Sequence, residues 1–195
     1  MSSVSVISYR PPRARRDATA WLGMVLFLGS WAMLFAALFF AYGVLRVRAT
    51  SWPPGDAQRL PLLLPGLNTL LIAASSVLLQ GALLGAREGR GAALRRGLAA
   101  ALALGTAFLA LQGLLWWRLW AAGLRPGGGP YPSVFYTLTV FHALHVAVGL
   151  GGLTWAAMRA GAFGPARHLG LRLWTAYWHF VGAVWVLLYL AVFVL

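Results

Sequence analysis

Charge in this sequence is confined to short segments, and what they leave is five uncharged runs, at 18–45, 60–86, 97–117, 126–158 and 173–195. A helix rises ~1.5 Å per residue and a hydrocarbon core is ~30 Å thick, so about twenty apolar residues make one crossing. Every run meets that length. The pattern predicts an all-α integral membrane protein, a five-helix transmembrane bundle with spans at about 21–45, 61–86, 97–117, 133–158 and 173–195. A β-barrel also satisfies its backbone in lipid, but it needs ~10-residue segments of alternating hydrophobicity, which these continuous runs lack.

Composition agrees. The chain is 195 residues long, 61% apolar, with mean hydropathy +0.76, against an apolar share of ~45–50% in soluble domains. The linkers are too short for an extramembrane domain, so residues 1–17 read as an arginine-rich tail and 18–195 as one domain. All the basic residues are arginine, opposed only by Asp17, Asp56 and Glu88, and the net charge is +13. Such a balance suits nucleic acid in a soluble protein. Here the arginines sit in scattered loops at membrane level, where anionic headgroups are the available partner, so no nucleic acid is expected. The chain has no cysteine, which excludes disulfides and thiolate-held metal centres. Arg10, Arg13, Arg15 and Arg16 before the first run look like the start of a signal peptide. The 28 uncharged residues that follow exceed a signal's apolar region, so the first run is expected to stay in the mature chain.

Numbered in order, the spans put the N-terminal tail and the loops 87–96 and 159–172 on one side, with eleven of the 16 arginines. Arg46, Arg48, Arg59, Arg118 and Arg125 fall on the other. The positive-inside bias then predicts a cytoplasmic N-terminus and an external C-terminus, and the expected location is the bacterial plasma (inner) membrane. Trp21, Trp52, Trp116, Trp117, Trp120 and Trp174 lie near span ends, where indoles favour the headgroup level.

Polar residues inside the spans are few. Asn68, Thr69, Ser75, Ser76 and Gln80 fall on one broad face of span two, which should therefore meet protein and make interhelical hydrogen bonds worth ~0.6–2 kcal/mol each. A transport path is the other reading, and it lacks an ionisable residue. On span four His142 and His145 share a side that continues to Gly149 and Gly152; span five carries His179 and Gly182. Small residues let a second backbone approach, so this is a packing face with imidazoles in it. Ligation of one haem by facing histidines, or a metal held by the His-x-x-His spacing, are the sharper readings. One haem stays open, whereas a metal wants a third or fourth ligand and no span holds an Asp, Glu or Cys. Acid–base, nucleophilic and phosphate-binding constellations are missing too, and proton relays normally run through intramembrane carboxylates. A supporting subunit fits better than an engine.

Several stretches coincide with one family. Gly23-Met24-Val25-Leu26-Phe27-Leu28-Gly29-Ser30 with Phe39-Phe40-Ala41-Tyr42, then Trp52-Pro53-Pro54, Pro65-Gly66-Leu67-Asn68-Thr69 and Leu111-Gln112 follow in order. Tyr131-Pro132-Ser133-Val134-Phe135-Tyr136 leads into Phe141-His142-Ala143-Leu144-His145, and Tyr177-Trp178-His179-Phe180-Val181 closes the series. Over about residues 21–190 the chain resembles subunit III of haem–copper oxidases, in a short five-helix form. The family often has glutamate after the serine of its first shared helix, where Trp31 stands, and glutamate a few residues after the third helix's glutamine, where Leu115 stands. Its Trp-His-Phe-Val is usually followed by aspartate, and here Gly182 follows.

The resemblance implies a non-catalytic subunit without redox centres, beside oxidase subunits I and II. Haem and copper lie in the partner catalytic subunit, which reduces dioxygen and pumps protons. In relatives subunit III is thought to keep the catalytic subunit intact during turnover, support proton uptake and bind lipid. With the three acids lost, the stabilising role is the expectation, and Ser30, Asn68, Thr69, Ser75, Ser76, Gln112, His142, His145 and His179 are the candidates for intramembrane packing or for contact with bound phospholipid. An accessory protein of a nitric oxide reductase in the same superfamily, a haem-binding membrane cytochrome and a small transporter are the alternatives.

Overall fold

The computed structural model describes residues 13–50 and 62–194; the expectations for residues 1–12 and for Trp52-Pro53-Pro54, Asp56 and Arg59 lie outside them. Helices α1 (Arg13–Arg48), α2 (Leu63–Arg87), α3 (Gly91–Ala121), α4 (Pro130–Met158) and α5 (Leu169–Tyr189) follow in order. A 3-10 turn, Ala160–Ala162, separates α4 from α5, and α5 runs into a π-helical end at Leu190–Val194. Each of the five helices is long and apolar enough to cross a membrane. They overrun the expected spans, most clearly at Arg13 and Ala121. Charge marks where hydrocarbon ends, whereas a helix continues past it as long as good helix formers such as Ala, Leu and Arg follow.

Helices α2, α3, α4 and α5 form a closed ring of neighbours, α2 on α3, α3 on α4, α4 on α5 and α5 back on α2, while α1 lies outside against α4 and α5. The α2–α3 pair is a tight hairpin. Gly89 turns the chain at φ +73°, a backbone conformation that suits glycine, and the Arg90 N–H reaches back to the Gly85 carbonyl at 2.8 Å. Close approach continues up the pair, since a Cβ on Gly97 would meet the Ala82 Cβ at 2.8 Å and the Leu78 carbonyl at 2.9 Å.

One side chain fills the middle of the ring. Trp178 of α5 is fully buried, and its six-membered ring occupies the space that side chains at Gly105 of α3 and Gly149 of α4 would need, at 2.7 and 2.8 Å from their Cβ positions. Trp174, one turn earlier, fills the same kind of notch at Gly152. The expected small-residue stripe of α4 is thus a row of sockets for α5 aromatics. In lipid, where apolar association gives no gain, this van der Waals fit is what holds two helices together.

The interhelical polar contacts as candidate functional site

The buried polar side chains are Asn68, Ser75, Gln112, Thr139, His142, His145 and Thr175. They are distributed over the interfaces between helices. Asn68 of α2 donates through Nδ2 to Gln112 Oε1 of α3 at 3.2 Å. Trp178 Nε1 of α5 donates to Ser75 Oγ of α2 at 2.6 Å, and two turns further Trp185 Nε1 donates to Thr69 Oγ1 at 3.0 Å. Trp116 Nε1 of α3 donates to Thr139 Oγ1 of α4 at 3.1 Å, and Tyr177 OH of α5 donates to the His145 carbonyl of α4 at 3.0 Å. Every seam of the ring therefore carries at least one hydrogen bond. Inside hydrocarbon each replaces a polar group that would otherwise have no partner.

The expected polar face of α2 is present. Asn68 and Ser75 are buried, Thr69 and Ser76 half-buried, and only Gln80 stands at the rim, where His179 Nε2 donates to its Oε1 at 3.2 Å. Ser30, a candidate for packing or for lipid contact, is exposed, and its hydroxyl donates to the Phe27 carbonyl of its own helix at 2.7 Å. A serine hydroxyl in lipid satisfies itself on the preceding turn when no neighbour reaches it.

Indoles were the side chains hardest to foresee. Trp116 and Trp174 lie near helix ends yet pack inward, on Thr139 and Gly152, while Trp117 and Trp120 are exposed as the headgroup reading requires. The signal for Trp178 and Trp185 was a seven-residue spacing, two helical turns, facing hydroxyls at 69 and 75 on another apolar helix. Only the pairing of α5 with α2 makes that meaningful.

His142 and His145 are enclosed rather than exposed to a ligand. His142 is ringed by Phe35, Phe108 and Trp185, with centroids at 6.3, 5.9 and 5.2 Å, and Trp31 lies edge-on to His145 at 4.0 Å. Among the described residues no group of three or more His, Asp or Glu is placed to hold a metal ion.

The three positions where relatives often carry acid fall in different places. Trp31 packs on α4, Leu115 is fully buried, and a Cβ on Gly182 would sit 3.3 Å from Ser76 Oγ of α2. They stand on three different helices, α1, α3 and α5. The two acids among the described residues, Asp17 and Glu88, lie near the start of α1 and just after α2, and Glu88 pairs there with Arg90.

Residues 16–195 match the family described as cytochrome c oxidase subunit III. The chain is 35% identical over 176 residues to cytochrome c oxidase subunit 3 of Synechocystis sp., covering 89% of this chain and 74% of that one. It is 34% identical over 193 residues to a probable cytochrome c oxidase subunit 3 of Nocardia farcinica, covering 97% and 94%. The same subunit of Locusta migratoria is 32% identical over 179 residues, 88% of this chain and 67% of that one. These relatives favour the oxidase over a nitric oxide reductase accessory protein, a membrane cytochrome or a transporter. With a fold of membrane-crossing helices and a match over nearly its whole length, the chain belongs to the cytochrome c oxidase subunit III family, the supporting and itself non-catalytic subunit of a haem–copper oxidase.

Proposed function

We propose that this chain stabilises the catalytic subunit of its oxidase mechanically and takes no part in moving protons. The observation that carries the reading is the use of its intramembrane polar groups. Amides, hydroxyls and indoles are spent on joining α2, α3, α4 and α5 to one another, and Trp31, Leu115 and Gly182 stand where relatives often have acids. A proton path across hydrocarbon needs groups that gain and lose protons in sequence. Rigid interhelical bonds do the opposite.

Its partners in this reading are oxidase subunits I and II, with haem and copper in the catalytic subunit, and membrane lipid. The N-terminus faces the cytoplasm. Arg172 stacks over Trp21 at 4.3 Å and Arg159 over Trp155 at 5.0 Å, so the cytoplasmic ends of α1, α4 and α5 present fixed guanidinium groups at headgroup level, suited to anionic phospholipid.

Affinity purification of the tagged chain in mild detergent is expected to recover subunits I and II with haem and copper. Removing the chain from the oxidase is expected to leave initial dioxygen reduction intact and to shorten the number of turnovers before inactivation. A selective slowing of proton uptake on removal, with Trp31→Glu and Gly182→Asp both silent in the intact complex, would falsify the mechanical reading. A cysteine introduced at Gly164, in a chain with none of its own, should react with a membrane-impermeant reagent only from the cytoplasmic side.

A further inference from the structure

Where α1 crosses α4, aromatic rings from α1, α3 and α5 surround His142 and His145. Trp31 and His145 meet at a centroid distance of 4.0 Å and an angle of 83°. The Phe35 ring lies beside both imidazoles, its centroid 6.3 Å from that of His142 and 5.2 Å from that of His145. His142 is completely buried and His145 is 6% exposed. Phe108 and Trp185 complete the wall beside His142.

The hydrogen-bonding capacity of these rings can be accounted for atom by atom. His145 Nδ1 lies 2.6 Å from the Phe141 carbonyl oxygen, which only accepts, so Nδ1 carries the proton and Nε2 presents a lone pair. Trp31 Nε1 can only donate. A neutral His142 offers one N–H and one lone pair. Trp31 Nε1, His145 Nε2 and both ring nitrogens of His142 are all sealed from solvent, and none finds a protein partner. A buried polar atom left dry keeps its full desolvation penalty, and four such atoms multiply it. Donor and acceptor capacity are also complementary, one indole N–H against two imidazole lone pairs.

We propose that this compartment binds one internal water molecule. It accepts from Trp31 Nε1–H and donates to the lone pairs of His145 Nε2 and of His142. Three partners are the usual number for a buried water. The remaining N–H of His142 has the Phe108 ring beside it, inclined at 70°, as a weak π acceptor. Trp31 is thereby linked to the α4 imidazole pair through a neutral donor and one water. The site is independent of whether the chain affects turnover of its oxidase.

The full chain reconstituted in lipid bilayers, with 15N-labelled histidine side chains, tests this by solid-state NMR. It has four histidines, so spectra of His168→Gln and His179→Gln leave the buried pair assigned. Magnetisation started on water is expected to reach His145 Nε2 and a ring nitrogen of His142, with His145 as the Nδ1–H tautomer. In folded Trp31→Phe, which keeps the ring contact and removes the N–H, that transfer should fall by about twofold or more as one of the water's three partners is lost. The proposal is overturned if the wild-type imidazoles receive no water magnetisation, or if the proton reaching His145 Nε2 is that of the Trp31 indole. An unchanged signal in folded Trp31→Phe overturns it as well. Should that variant not fold, the wild-type spectrum alone decides.

Discussion

Helix α1 and the α4–α5 pair are all apolar enough to cross a membrane, yet they serve opposite purposes. In the most apolar stretch of α1 only 6% of residues are buried, against 50% in α4 and in α5. Leu22, Leu26, Met33, Phe40 and Val47 of α1 point outward, whereas α5 drives Trp174, Trp178 and Trp185 into its neighbours. Hydropathy treats the two alike, because lipid and protein interior are both apolar. What separates them is side-chain shape. Large rings opposite glycines make a lock, and in hydrocarbon fit is one of the few sources of helix–helix attraction. Helix α1 has a narrower hold: Phe35 and Tyr42 are its buried aromatics, Trp31 lies on His145, and Arg46 Nη1 reaches the Ala191 carbonyl at 3.4 Å.

The largest effect is expected at the lock. Gly149→Val would place a branched side chain where the Cβ alone comes within 2.8 Å of the buried Trp178 ring. Overpacking a sealed core typically costs about 1–3 kcal/mol, and a ring this close puts the cost at the upper end. Equilibrium unfolding of the chain in mixed micelles should show that loss; a value near zero would mean that α4 and α5 part easily, and the contrast with α1 would collapse.

A smaller effect is expected at the buried amide pair, which sharpens the comparison by asking whether polarity or fit holds the ring. Asn68→Leu leaves Gln112 without its partner and should cost about 2 kcal/mol. Adding Gln112→Leu should recover most of it, since two apolar groups leave nothing unsatisfied. A double variant as unstable as the single one would show that the bond is a net contributor.

The smallest effect belongs to the outer face of α1. Leu26→Ala, at a residue 66% exposed, exchanges one lipid contact for another and should move stability by less than about 0.5 kcal/mol. Destabilisation comparable to Gly149→Val would show that this face is packed against protein even in the isolated chain.

Much of this was legible in the linear order of residues. Five charge-free runs define five helices, because a charge at mid-membrane costs several kilocalories and cannot be placed there casually. The polar face of α2 and the His142, His145, Gly149, Gly152 stripe of α4 were legible for the same reason, since a helix repeats its facing every three to four residues. Whether Ser30 meets protein or lipid was not legible, because a serine can bond its own preceding turn and needs no neighbour.

What the sequence by itself determined is the number of crossings, the helical class and which faces must meet protein, all consequences of a solvent that tolerates neither charge nor an unpaired backbone group. Which helix meets which was decided only in three dimensions. Trp178 could have lain at a lipid boundary like Trp117; it became the centre of the ring because Gly105, Gly149 and Ser75, on three other helices, leave together a notch and a hydroxyl of the right size. Complementarity of shape is a property of pairs, and no single run of residues contains it.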